Sequence, residues 1–268
     1  MTAGTRSAAQ AADSKPVELL GRVGLAAYGL VHLLIAWLAA QVALGTGGEE
    51  GAGKDGALTQ LAEKSYGGPL LWVIAIGMFA LAIWQLGEAI WGRKSFGGAA
   101  KRVVHVIEAL VFAFLGYSAA KIASGGKGQS NSEQAGLTAD VLAKPAGQLL
   151  VVAVGVAVLG AAVYLIIKGA TKKFLKDLNF AGASPSTRRL TERLGQVGYM
   201  AQGTGYGIVG LLIVVAALRH DPEQATGLDT ALATLAEQPY GTALLLIVAL
   251  GFACFGVYCF LDARFRKT

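Results

Sequence analysis

Charged residues are scarce in this chain, and their scarcity excludes an ordinary soluble domain. Lysine, arginine, aspartate and glutamate make up 15% of the 268 residues, whereas 54% of the residues are hydrophobic. A soluble domain carries roughly 25% charged residues. Glycine is abundant instead, at 37 residues. This balance is typical of an integral membrane protein.

Cysteine and histidine are also scarce, which argues against metal and redox chemistry. Cys254 and Cys259 are five residues apart in one apolar stretch and do not share a helical face, so we predict neither a disulfide nor a zinc site. Three histidines are few for a haem or metal enzyme. The HExxH, GxSxG and Walker patterns of enzymes are missing from the sequence. We expect a non-enzymatic protein with no cofactor and no metal.

What the chain does have is long hydrophobic runs. Six of them are long enough to cross about 30 Å of hydrocarbon as helices. The sequence therefore predicts an all-α integral membrane bundle of six transmembrane helices. The runs are Leu19–Leu44, Gly68–Trp91, Val103–Ala123, Ala146–Gly169, Leu194–Leu218 and Gly241–Leu261.

The basic residues are distributed unevenly along the chain, and their distribution predicts the topology. Alternate segments between the runs, together with the two termini, hold 17 of the 23 lysines and arginines. By the positive-inside rule these segments are cytoplasmic, which places both termini there in a multi-pass protein of the bacterial inner membrane. The net charge of +6 then reflects topology and attraction to anionic lipid headgroups, and we expect no nucleic-acid partner. Residues 1–16 are predicted to be a disordered cytoplasmic tail.

The sequence repeats itself three times. Residues 20–24 return as 194–198, and 61–67 return as 235–241, both displaced by 174 positions. A fainter middle copy is displaced by 80 positions from the first. Since each copy contains two membrane helices, all copies enter the membrane in one orientation. We predict three parallel hairpin repeats with approximate threefold pseudosymmetry, spanning 17–97, 98–180 and 181–268.

Each repeat is expected to carry a short amphipathic helix on the outer surface, such as 57–64 or 228–235. The glycines that follow, Gly67, Gly147 and Gly241, would let the chain turn into the second membrane helix. Small residues spaced by four mark the expected helix contacts, as in Gly203 with Gly207. The same spacing occurs in the fourth helix at Ala153, Ala157 and Ala161.

Overlaying the three copies aligns polar residues inside the predicted helices. Tyr28, Glu108 and Gln202 share one aligned position and could meet on the pseudo-axis, about 9 Å into the bilayer. His105 lies one turn from Glu108 on the same face, and His32 lies one turn deeper. An intramembrane carboxylate is a functional candidate for a ligand, proton or ion site. The alternative is that Glu108 is held by hydrogen bonds as structural glue between helices.

A second aligned set consists of Glu88, Lys168 and Asp262 at the cytoplasmic ends of the second helices. Opposite charges at equivalent places are compatible with ion pairs that close the inner end of the bundle. The alternative is that these side chains are solvated or extend to the headgroups.

The pattern resembles the bacterial membrane proteins known as domain of unknown function 1206. The resemblance rests on Gly21–Gly29 and on Leu235–Gly241, and extends from Glu18 to Arg264. It implies three two-helix repeats and no assigned activity, so no residue roles are transferred. The function we expect is a scaffold or accessory component that binds membrane lipid, a membrane-protein partner or another copy of itself. The alternative is a small channel or carrier with Tyr28, Glu108 and Gln202 as its polar constriction.

Overall fold

A computed structural model describes residues 15–45, 61–62, 67–91, 98–126, 131–144, 146–221, 232, 235 and 238–267. Long helices occupy all six predicted hydrophobic runs, as expected of backbone that must satisfy its hydrogen bonds within each segment in lipid. They are α1 (Lys15–Ala43), α2 (Gly67–Trp91), α3 (Gly98–Ala123), α5 (Gly147–Ala170), α6 (Pro185–Arg219) and α7 (Gly241–Phe265), with a shorter α4 (Asn131–Leu142) before α5.

Five of the long helices are long and apolar enough to cross a membrane, among the residues that are described. The remaining one, α3, has 26 residues and is not among these five. Its hydropathy is lowered by polar residues near its start, Lys101, Arg102 and Glu108. The chain is therefore a multi-pass membrane protein with an all-helical architecture.

The six long helices form an open ring. Going round it, α1 packs on α2, α2 on α3, α5 on α6, α6 on α7, and α7 returns to α1. Among the residues that the structure describes, the two helices of the middle repeat, α3 and α5, form no comparable interface. The ring is thus closed between the first and last helices and open inside the middle repeat.

The interfaces between successive repeats are built from small residues at equivalent positions. In α1 and α7, a side chain on Gly29 would come within 2.7 Å of the Gly256 carbonyl oxygen. The positions aligned with this pair are Gly203 with Ala162 and Ala109 with Ala82. A side chain on Gly203 would meet the Ala162 carbonyl at 2.8 Å, and both alanines of the third pair are buried.

A second layer of small residues lies seven positions later on the first helix of each repeat and seven positions earlier on the second. Gly155 and Gly210 approach each other so closely that a side chain on either would lie 3.1 Å from the other's carbonyl. The aligned pairs are Gly116 with Ala75 and Ala36 with Ala249, of which the first shows the same approach at 3.3 Å. Because backbones that approach this closely gain van der Waals contact in lipid, these layers hold the three repeats together.

The interfaces within the first and third repeats use glycine in a corresponding way. A side chain on Gly24 would meet the Leu81 side chain at 2.4 Å, and one on Gly198 would meet the Phe255 backbone at 2.6 Å. Their partners Gly77 and Gly251 are as tightly enclosed, by Ala27 and Ala201 respectively. The middle repeat has Val104 and Ala157 at the positions of these two glycines. It therefore lacks the residues that let hairpin helices approach, which accounts for the opening between α3 and α5.

The predicted contact faces need one correction. Ala153, Ala157 and Ala161 were expected to touch a neighbouring helix, but all three are exposed. The contact face of α5 is displaced from them by one or two positions and is formed by Val151, Gly155, Ala162 and Gly169. Gly203 lies in a helix contact as predicted, whereas Gly207 makes only an ordinary van der Waals approach to Ala162 at 3.8 Å.

Two of the turn glycines are required by close backbone approach. A side chain on Gly67 would lie 1.8 Å from the Leu61 carbonyl oxygen, and one on Gly147 would lie 1.7 Å from that of Val141. A short helix, α4, precedes the second long helix of the middle repeat, and its predicted place on the outer surface stays a prediction. The segments 57–64 and 228–235 lie almost wholly outside the described residues, as does most of the predicted tail 1–16.

Candidate functional site

The first helices of the three repeats meet at Tyr28. The Gln202 amide nitrogen donates a hydrogen bond to the Tyr28 hydroxyl at 2.8 Å, joining α6 to α1. From α3, the ring of Phe112 packs edge-on against Tyr28, with 5.1 Å between the ring centroids. Two of the three aligned residues, Tyr28 and Gln202, therefore meet as predicted. In place of Glu108, α3 contributes Phe112, which lies one turn further along that helix.

His32 extends this contact into a chain of hydrogen bonds. Its Nδ1 donates to the Tyr28 carbonyl at 2.9 Å, which leaves Nε2 of the neutral ring as an acceptor. The Gln202 amide nitrogen lies 3.4 Å from this Nε2, so its two protons are directed to Tyr28 and His32. His32 is 2% exposed and Gln202 is 3% exposed. We name Tyr28, His32 and Gln202 the central cluster.

Aromatic rings surround the central cluster. Phe255 lies 4.8 Å from His32 and 5.9 Å from Tyr28, measured between ring centroids, and Phe252 lies 6.0 Å from His32. Edge-on contacts of this kind are favourable ring geometries. The central cluster is therefore a hydrogen-bonded network among aromatic rings, which is a stabilising arrangement.

Glu108 lies in a second cluster, between α2 and α3. The Gln85 amide nitrogen donates a short hydrogen bond to the Glu108 carboxylate, and the Gln85 carbonyl oxygen accepts from His105 Nδ1 at 3.0 Å. His105 Nδ1 also lies 3.6 Å from the carboxylate. Gln85 is 6% exposed, whereas the Glu108 side chain is 44% exposed. The nitrogen and the oxygen of the Gln85 amide are thus both hydrogen-bonded to residues on one face of α3.

The separation of Glu108 from the central cluster corrects the predicted meeting of three residues. Glu108 lies next to Ala109 on α3, and both Ala109 and Ala82 of α2 are buried where these two helices pack. Gln85 was missed by sequence reasoning. The repeat alignment does contain a signal for it, because the positions equivalent to Gln85 hold Leu165 and Cys259. Gln85 is thus the only amide of its aligned set. It lies in α2, the helix that packs on α3, where Glu108 is the only carboxylate of the other aligned set.

Of the second predicted set, the structure describes the side chains of Lys168 and Asp262. Asp262 is 4% exposed, and its carboxylate forms an ion pair with Arg266 at 3.1 Å, one turn later on the same chain. This i,i+4 spacing places the two side chains on one face. The Lys168 ammonium lies over the Tyr199 ring, 4.6 Å from its centroid. The side chain of Glu88 lies outside the described part of the structure.

Packed aromatic rings cover one end of the bundle, the end where α1 begins and α7 ends. We call it the basic end. Phe174, from the 3-10 turn Lys173–Asp177 between α5 and α6, is 1% exposed. Its ring packs on Tyr258 at 5.2 Å and on Tyr199 at 5.3 Å. Gly195 makes room for it, because a side chain there would lie 2.5 Å from the Phe174 ring. The loop between α5 and α6 is therefore fixed to the bundle.

No group of three His, Cys, Asp or Glu that could hold a metal is found in the described part of the chain. The two cysteines are free thiols, as the spacing predicted. The arrangement of both polar clusters is that of interhelical hydrogen bonding.

These features define a class: a multi-pass helical membrane protein made of three two-helix repeats. Within that class, the chain belongs to the family described as Domain of Unknown Function (DUF1206), which matches residues 23–92, 103–172 and 197–266. It is 31% identical over 259 residues to the uncharacterized protein YxxB of Bacillus subtilis (strain 168), covering 95% of this chain and 93% of the relative. No solved structure matches the chain. The predicted resemblance to this family is confirmed.

Proposed function

We propose that the protein is a non-enzymatic accessory or scaffold component of the bacterial cell membrane, which docks a transmembrane helix of another polypeptide on α5. The observation that carries the proposal is the opening in the middle repeat. There, the face of α5 that contains Ala153, Ala157 and Ala161 is exposed.

This face corresponds to one that binds a helix elsewhere in the chain. Ala157 and Ala161 align with Gly77 and Leu81 of α2, which pack on Gly24 of α1. The same positions in the third repeat are Gly251 and Phe255, which pack on α6. The equivalent face of α5 thus has the shape of a helix-binding surface and lacks its helix.

The chemistry of this face favours a helix over lipid as its occupant. Small residues spaced by four let a second backbone approach closely, and such faces drive helix association in bilayers. Gly160, next to Ala161, likewise has no atom within 4 Å of where a side chain would begin. Large apolar side chains flank the face, including Val154 and Val163, each about half exposed, which would grip a helix seated between them.

The same proposal includes the topology. Six spans with both termini in the cytoplasm require α3 to cross the membrane although its hydropathy is lower than that of the other five. Its polar residues are placed for this role. Arg102 is exposed at the first turns, where it reaches the headgroups, and Glu108 is paired with Gln85.

The channel alternative receives no support from the geometry. A constriction of Tyr28, Glu108 and Gln202 would require three side chains around one opening, but Glu108 is bound to α2. Phe112, Phe252 and Phe255 pack around the central cluster where a pathway would pass. We therefore assign both polar clusters a structural role, without a cofactor or a nucleic-acid partner.

Site-specific photocrosslinking in intact membranes tests the proposed docking face. A photoreactive residue at position 161 should give a protein adduct, and one at position 83 of α2 should not. Ile83 is 62% exposed and serves as the matched lipid-facing control. The size of the adduct distinguishes a second copy of this chain from a different partner, and either result supports a helix on α5.

A blocking substitution makes the test specific. Ala157→Phe should abolish the adduct at position 161, whereas Ile76→Phe on the exposed face of α2 should leave it unchanged. Adducts with lipid alone, or equal protein labelling at positions 83 and 161, would contradict the proposal.

A further inference from the structure

The middle repeat exposes a carboxylate where the other repeats have bonded side chains. Position 108 of α3 is aligned with Tyr28 of α1 and Gln202 of α6. Tyr28 and Gln202 are hydrogen-bonded to each other, and Gln202 is 3% exposed. The side chain of Glu108, in contrast, is 44% exposed. Glu108 is therefore accessible at a position whose counterparts are joined within the bundle.

This carboxylate lies on the side of α3 that corresponds to the hairpin contact of the other repeats. Four positions before Tyr28 and Gln202 are Gly24 and Gly198, and both glycines pack on the second helix of their own hairpin. Residues four apart share one face of a helix. Position 108 is therefore on the hairpin side of α3. Among the described residues, α3 and α5 form no comparable interface on that side.

The docking face of α5 is at the same level of the opening. Ala157 is aligned with Gly77 of α2. A side chain on Gly77 would meet the Ala27 side chain at 2.3 Å, and Ala27 precedes Tyr28 in the sequence. Because Tyr28 is aligned with Glu108, a helix seated on Ala157 would pass close to the carboxylate.

Glu108 has capacity for a further hydrogen-bond donor. The Gln85 amide nitrogen donates to its Oε2, and His105 Nδ1 lies 3.6 Å from the same oxygen. A carboxylate has two oxygens with about four acceptor sites. The exposed part of the side chain leaves room for a donor. Because a carboxylate facing hydrocarbon is costly, a basic donor from an occupant of the opening would be favoured there.

A second copy of this chain would not supply a basic side chain at that depth. Glu108 lies six residues beyond Arg102, or about 9 Å along α3. The six hydrophobic runs contain three lysines and arginines, Arg22, Lys121 and Lys168, each within four residues of an end of its run. Lys168 lies over the Tyr199 ring. The occupant with complementary chemistry is therefore a different polypeptide.

We propose that the helix docked in this opening carries an arginine or lysine that pairs with Glu108, and that it belongs to a different membrane protein. This inference rests on the proposed docking face of α5 and names the chemistry of its occupant. The small residues of α5 let the backbone approach, and the carboxylate of α3 selects a basic side chain at one depth. A basic residue inside a membrane helix is itself costly, so the pair stabilises both proteins.

Capture of the full chain by synthetic transmembrane peptides in detergent micelles provides the test. The probe is a biotinylated leucine–alanine helix with one arginine placed about 9 Å inside its cytoplasmic end, and the control peptide has leucine there. The arginine peptide should capture roughly tenfold more of the wild-type chain, because a charge-assisted pair forms. In Glu108→Gln, which retains an acceptor for Gln85, both peptides should capture equal amounts.

Matched variants show whether the effect belongs to this carboxylate. Asp140→Asn removes a carboxylate from an exposed position of α4 and should leave the preference for arginine unchanged. Lys101→Gln changes a basic residue seven positions before Glu108 and should also leave the preference in place. Glu108→Asp keeps the carboxylate and should keep most of the preference.

The same experiment separates this inference from the docking proposal. Equal capture of the two peptides by the wild type, at any level, or a preference that survives in Glu108→Gln, would overturn the pairing. Ala157→Phe, which blocks the docking face, should abolish capture of both peptides. Equal capture that Ala157→Phe abolishes would support docking on α5 and exclude the pairing.

Photocrosslinking in intact membranes identifies the natural partner. The protein captured from position 161 should have a lysine or arginine inside a transmembrane segment, and Glu108→Gln should reduce the adduct roughly tenfold. Exchanging the charges, by Glu108→Arg together with glutamate at the partner's basic position, should restore the adduct. An adduct of the size of a second copy would support docking on α5 and contradict the pairing.

Discussion

At the scale of residues, polar groups inside this apolar bundle occur as hydrogen-bonded sets that join neighbouring helices. The central cluster joins α1 to α6, and Gln85 joins α2 to Glu108 and His105 of α3. Such interhelical bonds contribute about 0.6 to 2 kcal/mol in membranes. The cost of disrupting a set is larger, since a buried donor left without its acceptor loses its solvation as well.

Glu108→Leu should therefore destabilise the protein by about 1 to 3 kcal/mol, because it leaves the buried Gln85 amide without its acceptor. Glu108→Gln retains an acceptor oxygen and should be close to neutral. The free energy of unfolding can be measured by titrating detergent micelles with dodecyl sulfate and following tryptophan fluorescence. The double variant Gln85→Leu/Glu108→Leu removes both partners and should recover most of the loss. Additive losses in the double variant would rule out the pairing.

The residue scale also shows how far repeat alignment predicts contacts. Tyr28 and Gln202 were predicted to meet because they share one aligned column, and they are bonded. Gln85 and Glu108 belong to different columns, so their contact depends on which helix faces pack. An overlay of the repeat sequences does not show which helix faces pack on each other. The sequence placed Glu108 in the right helix, but it did not identify its partner.

At the scale of elements, the helices are held by backbone approach at small residues seven positions apart. At each of the three interfaces between repeats at least one such pair approaches closely, and the remaining aligned pairs are buried alanines. The runs, their helical state and the three repeats could be predicted from hydrophobicity and internal similarity. The contact faces could not, because α5 is rich in small residues on more than one side. Gly155 and Ala162 are buried, while Ala153 and Ala157 are exposed.

Gly29→Val should destabilise the α1–α7 interface by about 1 to 3 kcal/mol, the usual cost of overpacking a close contact. The added side chain would begin 2.7 Å from the Gly256 carbonyl, so backbone must move. Gly160→Val makes the same change in α5, where nothing lies within 4 Å, and should have little effect on the purified protein. Unfolding in dodecyl sulfate compares the two variants. Equal stability of both would refute the packing argument.

At the scale of the whole molecule, the three repeats share one arrangement of helices, and the middle repeat departs from it. The first and third repeats close their hairpins through Gly24 with Gly77 and Gly198 with Gly251. In the middle repeat, Val104 and Ala157 take the positions of the two glycines, and its hairpin stays open. At these two positions the sequence of the middle repeat differs from that of the two repeats whose hairpins are closed.

Restoring the glycines should narrow that opening. In the variant Val104→Gly/Ala157→Gly, α3 and α5 can approach as the helices of the other repeats do. Spin labels at Leu110 and Val154, which are both exposed, report the separation by electron double resonance in a background without Cys254 and Cys259. We expect a shorter mean distance than in the parent. Val106→Gly/Ala170→Gly makes the same substitutions at exposed positions unrelated to the hairpin glycines. An unchanged distance in the first variant would show that these two residues do not keep the hairpin open.

The closure of the ring between α1 and α7 determines when the protein can assemble. Because the first helix packs on the last, the Gly29 face of α1 has no partner until the final span has been synthesised and inserted. Long-range contacts of this kind are slow to form and leave earlier intermediates open to wrong associations. During synthesis the nascent chain therefore passes through a stage in which both ends of the ring are open, and other membrane helices can compete for α1 as well as α5.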